Sequence, residues 1–226
     1  MVDFSGLQGG QSDLERAATD AAVLLKKYTP SSTPITTLGA TSTGDLDVAK
    51  LSGFTTVGNW TKSSGVTLMN NPTINDVKSH GKGSPTRQIA SEAEKGITFE
   101  AQENVKLINL QNQWGFTDDA VTIAAAGDIV IDIPELPIEM LWQAVLITKD
   151  VYLGEPLYRY WVANKANVGK RADQKQTDGD VDTLNTSLNF LTHPALPGVP
   201  IKFGICGPGW LLMNAGNDTG FTPSGS

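Results

Sequence analysis

Thr86-Arg87-Gln88-Ile89-Ala90-Ser91-Glu92-Ala93-Glu94-Lys95-Gly96-Ile97-Thr98-Phe99-Glu100-Ala101-Gln102 alternates apolar and polar side chains on either side of a Lys95-Gly96 step. Alternation of this kind is the period of a half-buried β-strand, and a glycine within it invites a reversal. Two hairpin registers compete. A two-residue turn at Lys95-Gly96 sets Glu94 against Ile97 and Glu92 against Phe99, mixing charge with apolar groups. A three-residue turn, Glu94-Lys95-Gly96, pairs Ala93 with Ile97, Ser91 with Phe99 and Ile89 with Ala101, and so separates the faces. That register predicts a ribbon with Ile89, Ala93, Ile97 and Phe99 on an apolar side and Gln88, Glu92, Glu100 and Gln102 on a polar side. Glu94 sits beside the turn, and Gly96 takes its positive-φ position.

Outward from the hairpin, short β-type runs recur between Gly, Asn, Asp and Pro: Val66 to Met69, Val121 to Ala125, Ile129 to Ile133, Leu141 to Thr148, Leu157 to Val162, Val181 to Leu191 and Ile201 to Ile205. The expected fold is mainly β, a sandwich or barrel with one or two flanking helices, a long β-hairpin and an extended N-terminal arm. Leu141 to Thr148 is apolar on both parities, which predicts a central strand covered on both faces. A short helix is expected within Asn104 to Asn112. Upstream, Ser12-Asp13-Leu14-Glu15 has capping-box spacing, and Leu14, Ala17, Ala18, Ala21, Leu24 and Leu25 recur at helical steps. The sequence therefore divides into a helix and Pro/Thr/Ser linker over residues 1–34, a β-domain over 35–212, and a mobile tail over 213–226.

The 226 residues carry 17 Lys and Arg against 24 Asp and Glu, a formal charge of −7 that argues against any general grip on nucleic acid backbone. One cysteine, Cys206, excludes an internal disulfide, and no apolar run approaches the roughly 18 residues of a membrane span. Met1 to Arg16 lacks the pattern of an export signal, so a cytosolic product with no membrane partner is expected. Gly81-Lys82-Gly83 and Gly207-Pro208-Gly209 lack phosphate-loop spacing and read as turns. His80, His193 and Cys206 have no zinc-ligand spacing, and Asp178, Asp180 and Asp182 lack the glycine and the acidic twelfth residue of a calcium loop. No G-x-S-x-G elbow exists. Tyr158, Tyr160 and Trp161 divide between two strand faces, with Trp161 beside Leu157, as core and interface rather than a base-stacking platform. No catalytic, cofactor-binding or metal residue is assigned.

The order of the remaining pieces is informative: Gly58-Asn59-Trp60, Val66-Thr67-Leu68, Asn71-Pro72-Thr73, Ser84-Pro85-Thr86-Arg87, the acidic ribbon, Glu103-Asn104-Val105, Trp142-Gln143-Ala144, Leu157-Tyr158-Arg159-Tyr160-Trp161, Gly179-Asp180 and Gly198-Val199-Pro200. Over roughly Gly58 to Gly209 this layout resembles the major tail proteins, or tail tube subunits, of bacteriophages with long non-contractile tails. The resemblance implies a β-sandwich subunit that closes into hexameric rings, which stack head to tail into a hollow tube conducting the viral DNA during ejection. It implies no catalytic residues. It also implies that the hairpin joins neighbouring subunits in one inner barrel through Ile89, Ala93, Gly96, Ile97 and Phe99, with Glu92, Glu100, Glu94, Gln88 and Gln102 facing the lumen. Other copies of the chain, a tape-measure protein, tail terminator and distal tail proteins are the implied partners. Double-stranded DNA passes without specific binding, and the protein resides in the virion tail after assembly in the host cytoplasm. Residues 1–57, Lys78 to Ser84 and Ala166 to Asp182 are expected to make contacts between subunits or rings, being too long and polar for tight connections. Two other readings remain: a neck completion or decoration protein, and a small hydrolase using His80 or His193.

Overall fold

A computed structural model describes residues 10–174, 176, 178–217 and 219–221. The centre of the molecule is β7, Leu141–Tyr152, which puts Trp142, Ala144 and Leu146 into one core and Val145 and Ile147 into another. Both faces are covered, as its two apolar parities require. On one side β7 pairs antiparallel with β1, Asp20–Lys27, and on the other with β8, Glu155–Arg171. The full sheet runs β2-β1-β7-β8-β9-β4-β3, where β2 is Thr55–Thr56, β3 Val66–Val77, β4 Arg87–Ala101 and β9 Leu184–Phe190. The sheet forks along β8. Its first half, Tyr158 to Val162, pairs with β10, Lys202–Cys206, and its last part, from Ala166 to Arg171, pairs with β9. Register shifts at Trp142/Ala144 and Val168/Lys170 mark the bends that let one strand serve both branches. Among the described residues the helices are α1, Leu107–Trp114, and α2, Pro208–Gly216.

The N-terminal helix expected from Leu14 to Lys27 is a strand instead. Ser12–Leu14 forms one 3-10 turn without a side-chain cap, and Asp20–Lys27 lies between β2 and β7. Val23 and Leu25 are fully buried in the first core, while Leu24 packs on the second. Apolar residues on both faces of an inner strand produce three- and four-residue spacings by chance, and Ala21, Leu24 and Leu25 fit either period. The Pro-rich stretch that follows is no free linker. Asn164 grips the backbone of Ile35 through both amide atoms, at 2.7 and 2.9 Å, and Gln143 Nε2 donates to the Thr33 carbonyl at 3.0 Å. Ile35, Leu38, Leu46, Leu51 and Phe54 then roof the second core.

The hairpin reverses elsewhere than expected. Thr86 to Gln102 does not fold back on itself: β4 runs through Lys95-Gly96 without a turn and pairs along its length with β3, Val77 opposite Arg87 and Val66 opposite Phe99. The reversal lies in 78–86. Gly96 carries no positive φ and pairs with Met69 on one side and Asn189 on the other. Pro72 in β3 is tolerated because β3 is an edge strand that needs no outer donor. Two further expectations shift. Ala166 to Arg171 of the expected polar loop belongs to β8, and Gly207-Pro208-Gly209 opens α2, with Pro208 in the first turn where its missing N–H costs nothing. That helix extends to Gly216 and buries Met213, so the expected tail begins inside a helix; residues 222–226 lie outside the described ones.

These placements predict that Leu25→Ala destabilises the fold by about 2–5 kcal/mol in denaturant unfolding, the range for a fully buried leucine. Ser12→Ala should move stability by no more than about 0.5 kcal/mol, since no capping box exists to lose.

Candidate functional site

Registry across β9, β4 and β3 sorts their side chains onto two faces of different chemistry. Val66, Leu68, Ile97, Phe99, Ala101, Leu184 and Leu188 face inward; Ile97, Phe99, Ala101, Leu184 and Leu188 are buried and Val66 and Leu68 partly so. The outer face is polar. It carries Thr67 beside Thr98 beside Ser187, with Thr98 Oγ1 donating to Ser187 Oγ at 3.1 Å, then Asn71 beside Glu94, Thr73 beside Glu92, and Glu100 beside Asn185. Glu92, Glu94 and Glu100 share this face along about 27 Å of strand.

The three carboxylates differ in setting. Glu100 is half-buried and accepts hydrogen bonds from Ser64 Oγ at 2.7 Å and Asn185 Nδ2 at 3.4 Å. Glu92 and Glu94 are exposed. Among the described residues none of the three enters an ion pair, so the face keeps its negative charge.

Two residues expected beside them are placed elsewhere. Gln88 lies on the opposite face, where its Nε2 donates to Asp76 Oδ1 at 3.0 Å, because the register slips between Thr73 and Ile74 and leaves Ser91 unpaired. One extra residue inverts every parity beyond it. Gln102 falls past the end of β4, its N–H bonded to the Asn59 carbonyl. Of the residues expected to join subunits, Ile97 and Phe99 are interior to this chain's own core, while Ile89 and Ala93 are exposed. Gly96 serves close approach rather than a turn: a Cβ there would strike the Leu188 carbonyl oxygen of β9 and the Met69 side chain.

Beyond Met69 and Lys95 the β3–β4 ribbon leaves the body of the molecule. Asn70 to Val77 and Arg87 to Glu94 are exposed without interruption, on both faces. Ile74 is 55% exposed, Val77 41% and Ile89 42%, so aliphatic surface stands in water along with the carboxylates. Among the described residues β3 also has no second partner strand, so its outward row of N–H and C=O groups is open.

The histidines and the cysteine lie apart from this face. His193 is buried, accepts from the Ala195 N–H on Nδ1 at 3.1 Å and places Nε2 at 3.2 Å from the Ser32 carbonyl. Nε2 therefore holds the proton and neither nitrogen is free to act as a base. His80 lies in the exposed ribbon turn. Burial, aided by the Asp45 charge, pushes the Cys206 thiol up to about 11, which keeps it a neutral core group. Tyr160 belongs to the second core with its hydroxyl 3.1 Å from Thr37 Oγ1, and Trp161 packs on Phe203 at 5.1 Å, as the two strand faces predict. Asp180 accepts from the N–H of Val181 in its own loop.

No protein-family model matches the chain. No curated protein matches it either. Among solved structures, the crystal structure of an Hcp protein is similar at 11% identity and a TM-score of 0.32, covering 82% of this chain and 96% of that one. At that TM-score the likeness carries no functional weight.

Gly96→Ala is expected to cost about 1–3 kcal/mol by thermal or denaturant unfolding, since the obstacle is backbone and cannot swing aside. Cys206 should resist a thiol-modifying disulfide reagent at pH 8 in the native protein and react promptly once unfolded.

Proposed function

We propose that the protein is a structural subunit that assembles with copies of itself into a hollow tube, the tail tube of a bacteriophage with a long non-contractile tail. One observation carries the reading: a strand pair with an anionic, hydrogen-bonding face extends beyond its own core at an open sheet edge. A two-stranded ribbon is marginal in water by itself. Continuing the sheet edge to edge through neighbouring copies satisfies the free backbone row. Closure of that sheet into a ring removes the edges altogether. The resemblance of the sequence to tail tube subunits supports six copies per ring, with rings stacked head to tail.

In such a tube Glu92, Glu94 and Glu100 line the lumen. A DNA duplex carries one negative charge per roughly 1.7 Å of axis, and at physiological salt charges are felt over about 8 Å. Carboxylates at the wall keep the duplex off it, so the genome slides rather than binds. A basic wall would release counterions and hold it. A tape-measure protein in the growing tube, with terminator and distal tail proteins at its ends, completes the proposed set of partners, and the virion tail is the proposed location.

Electron microscopy of the concentrated protein, seeded where necessary, is expected to show stacked rings with an open centre. Protein that remains monomeric would overturn the reading, and single rings that never stack would point to a tail completion protein. Glu92→Lys with Glu94→Lys should still assemble, yet tubes of the double variant should retain duplex DNA at low salt and release it as salt rises; tubes that ignore DNA would remove the electrostatic role of the wall.

A further inference from the structure

A second part of the chain is as bare as the ribbon and opposite in charge to the ribbon's tip. Between α1 and β7, residues 118–139 form a flap around the two-stranded sheet of β5, Val121–Ile123, and β6, Ile129–Ile131, which among the described residues has no other strand as partner. Its root is fixed. Asp118 takes hydrogen bonds from Lys27 Nζ at 2.5 Å and Gln111 Nε2 at 2.7 Å, and the Ile138 N–H donates to the Gly115 carbonyl at 2.8 Å. Its body is uncovered: Leu136 is 80% exposed and Ile123 69%, with Ile129, Val130 and Ile133 more than half exposed. The flap contains six carboxylates, Asp118, Asp119, Asp128, Asp132, Glu135 and Glu139, and no lysine or arginine. Only Asp118 among them forms an ion pair with a described residue.

The tip of the β3–β4 ribbon is the complement. From Ile74 to Ala90 it carries Lys78, Lys82 and Arg87, with His80, against one carboxylate, Asp76, which accepts from Gln88 Nε2. The three cations and His80 are exposed, none enters an ion pair with a described residue, and Ile74, Val77 and Ile89 stand beside them. Within one copy both surfaces are open to water, so neither covers the other.

We infer that the basic ribbon tip of one copy docks on the acidic, aliphatic flap of the next. This rests on the self-assembly proposed above and names the two surfaces that meet. Aliphatic groups on both sides supply area removed from water, and the charges supply direction. Flap against flap brings carboxylates together and tip against tip brings cations together, so both symmetric pairings are disfavoured and the heterologous one is left. A contact between two different surfaces of identical copies is head to tail and propagates. It also lets a subunit of net charge −7 associate with itself, because the repulsion is offset where the opposite charges are concentrated.

Charge exchange tests the contact. A tip variant, Lys78→Glu with Lys82→Glu and Arg87→Glu, and a flap variant, Asp128→Lys with Asp132→Lys and Glu135→Lys, change only exposed side chains, and circular dichroism and melting temperature verify that each stays folded. Each variant alone now opposes like charges, and sedimentation should show about tenfold less assembled material, or lower still, than the natural chain. Mixed in equal amounts the two should assemble again as an alternating array, acidic tip on basic flap and basic tip on acidic flap. Two results overturn the docking while leaving self-assembly in place: variants that assemble alone as well as the natural chain, or a mixture as dispersed as its components. If the natural chain itself never assembles, the tube reading falls and takes the docking with it.

Discussion

A pair of β-strands cannot stand alone in water. Its backbone hydrogen bonds satisfy only the inner rows, its faces lose no apolar area, and the entropy of ordering it goes uncompensated. In this protein the inner half of the β3–β4 pair rests on a core of Phe99, Ile97 and Leu188, whereas the outer half projects with both faces wet. The molecule holds that projection in place with a rigid base. β9 supports β4 from one side, Gly96 lets the two strands approach, and β8 ties this branch to the doubly covered β7. A ribbon so held keeps an open edge, which the proposed assembly would complete from outside.

The two cores divide the work. The first, beneath β1, β7, β8, β9 and β4, makes the sheet two-faced and so decides that Glu92, Glu94 and Glu100 point away from the protein interior. The second, between β7, β8 and the 35–54 segment, keeps the reverse side of the sheet out of solvent. Polar groups inside these layers act as clamps. Asn164 fixes Ile35, Asn109 Nδ2 bridges the carbonyls of Val57 and Glu103, and His193 joins Ser32 to Ala195. These clamps tie the 32–35 and 57 segments to the sheet and to α1.

Charge then discriminates among the surfaces the fold leaves open. The strand face is acidic and hydrogen-bonding, the ribbon tip basic, the flap acidic and aliphatic. Segregation of this kind steers association and selects its orientation, while apolar contact gives it strength. Even distribution of the same residues would leave a subunit with no preferred neighbour.

The sequence by itself determined the β-rich class, the double burial of Leu141 to Thr148, the two faces of the Tyr158 to Trp161 strand, and the shared polar face of Glu92 and Glu100. All of these follow from the two-residue period of a strand, which is local. Tertiary structure decided where that period breaks and which strand answers which. Asp20 to Lys27 became a strand because β7 offers it a partner edge, an advantage no window of its own residues contains. Gly96 read as a turn because close packing under Leu188 and a positive φ both demand glycine. The unpaired Ser91 moved Gln88 to the far face, and α1, which buries amides such as Asn109 and Asn112 instead of an apolar stripe, gave only a faint periodic signal. Periodicity is written within one segment; pairing and close approach depend on two, and the second lies far along the chain.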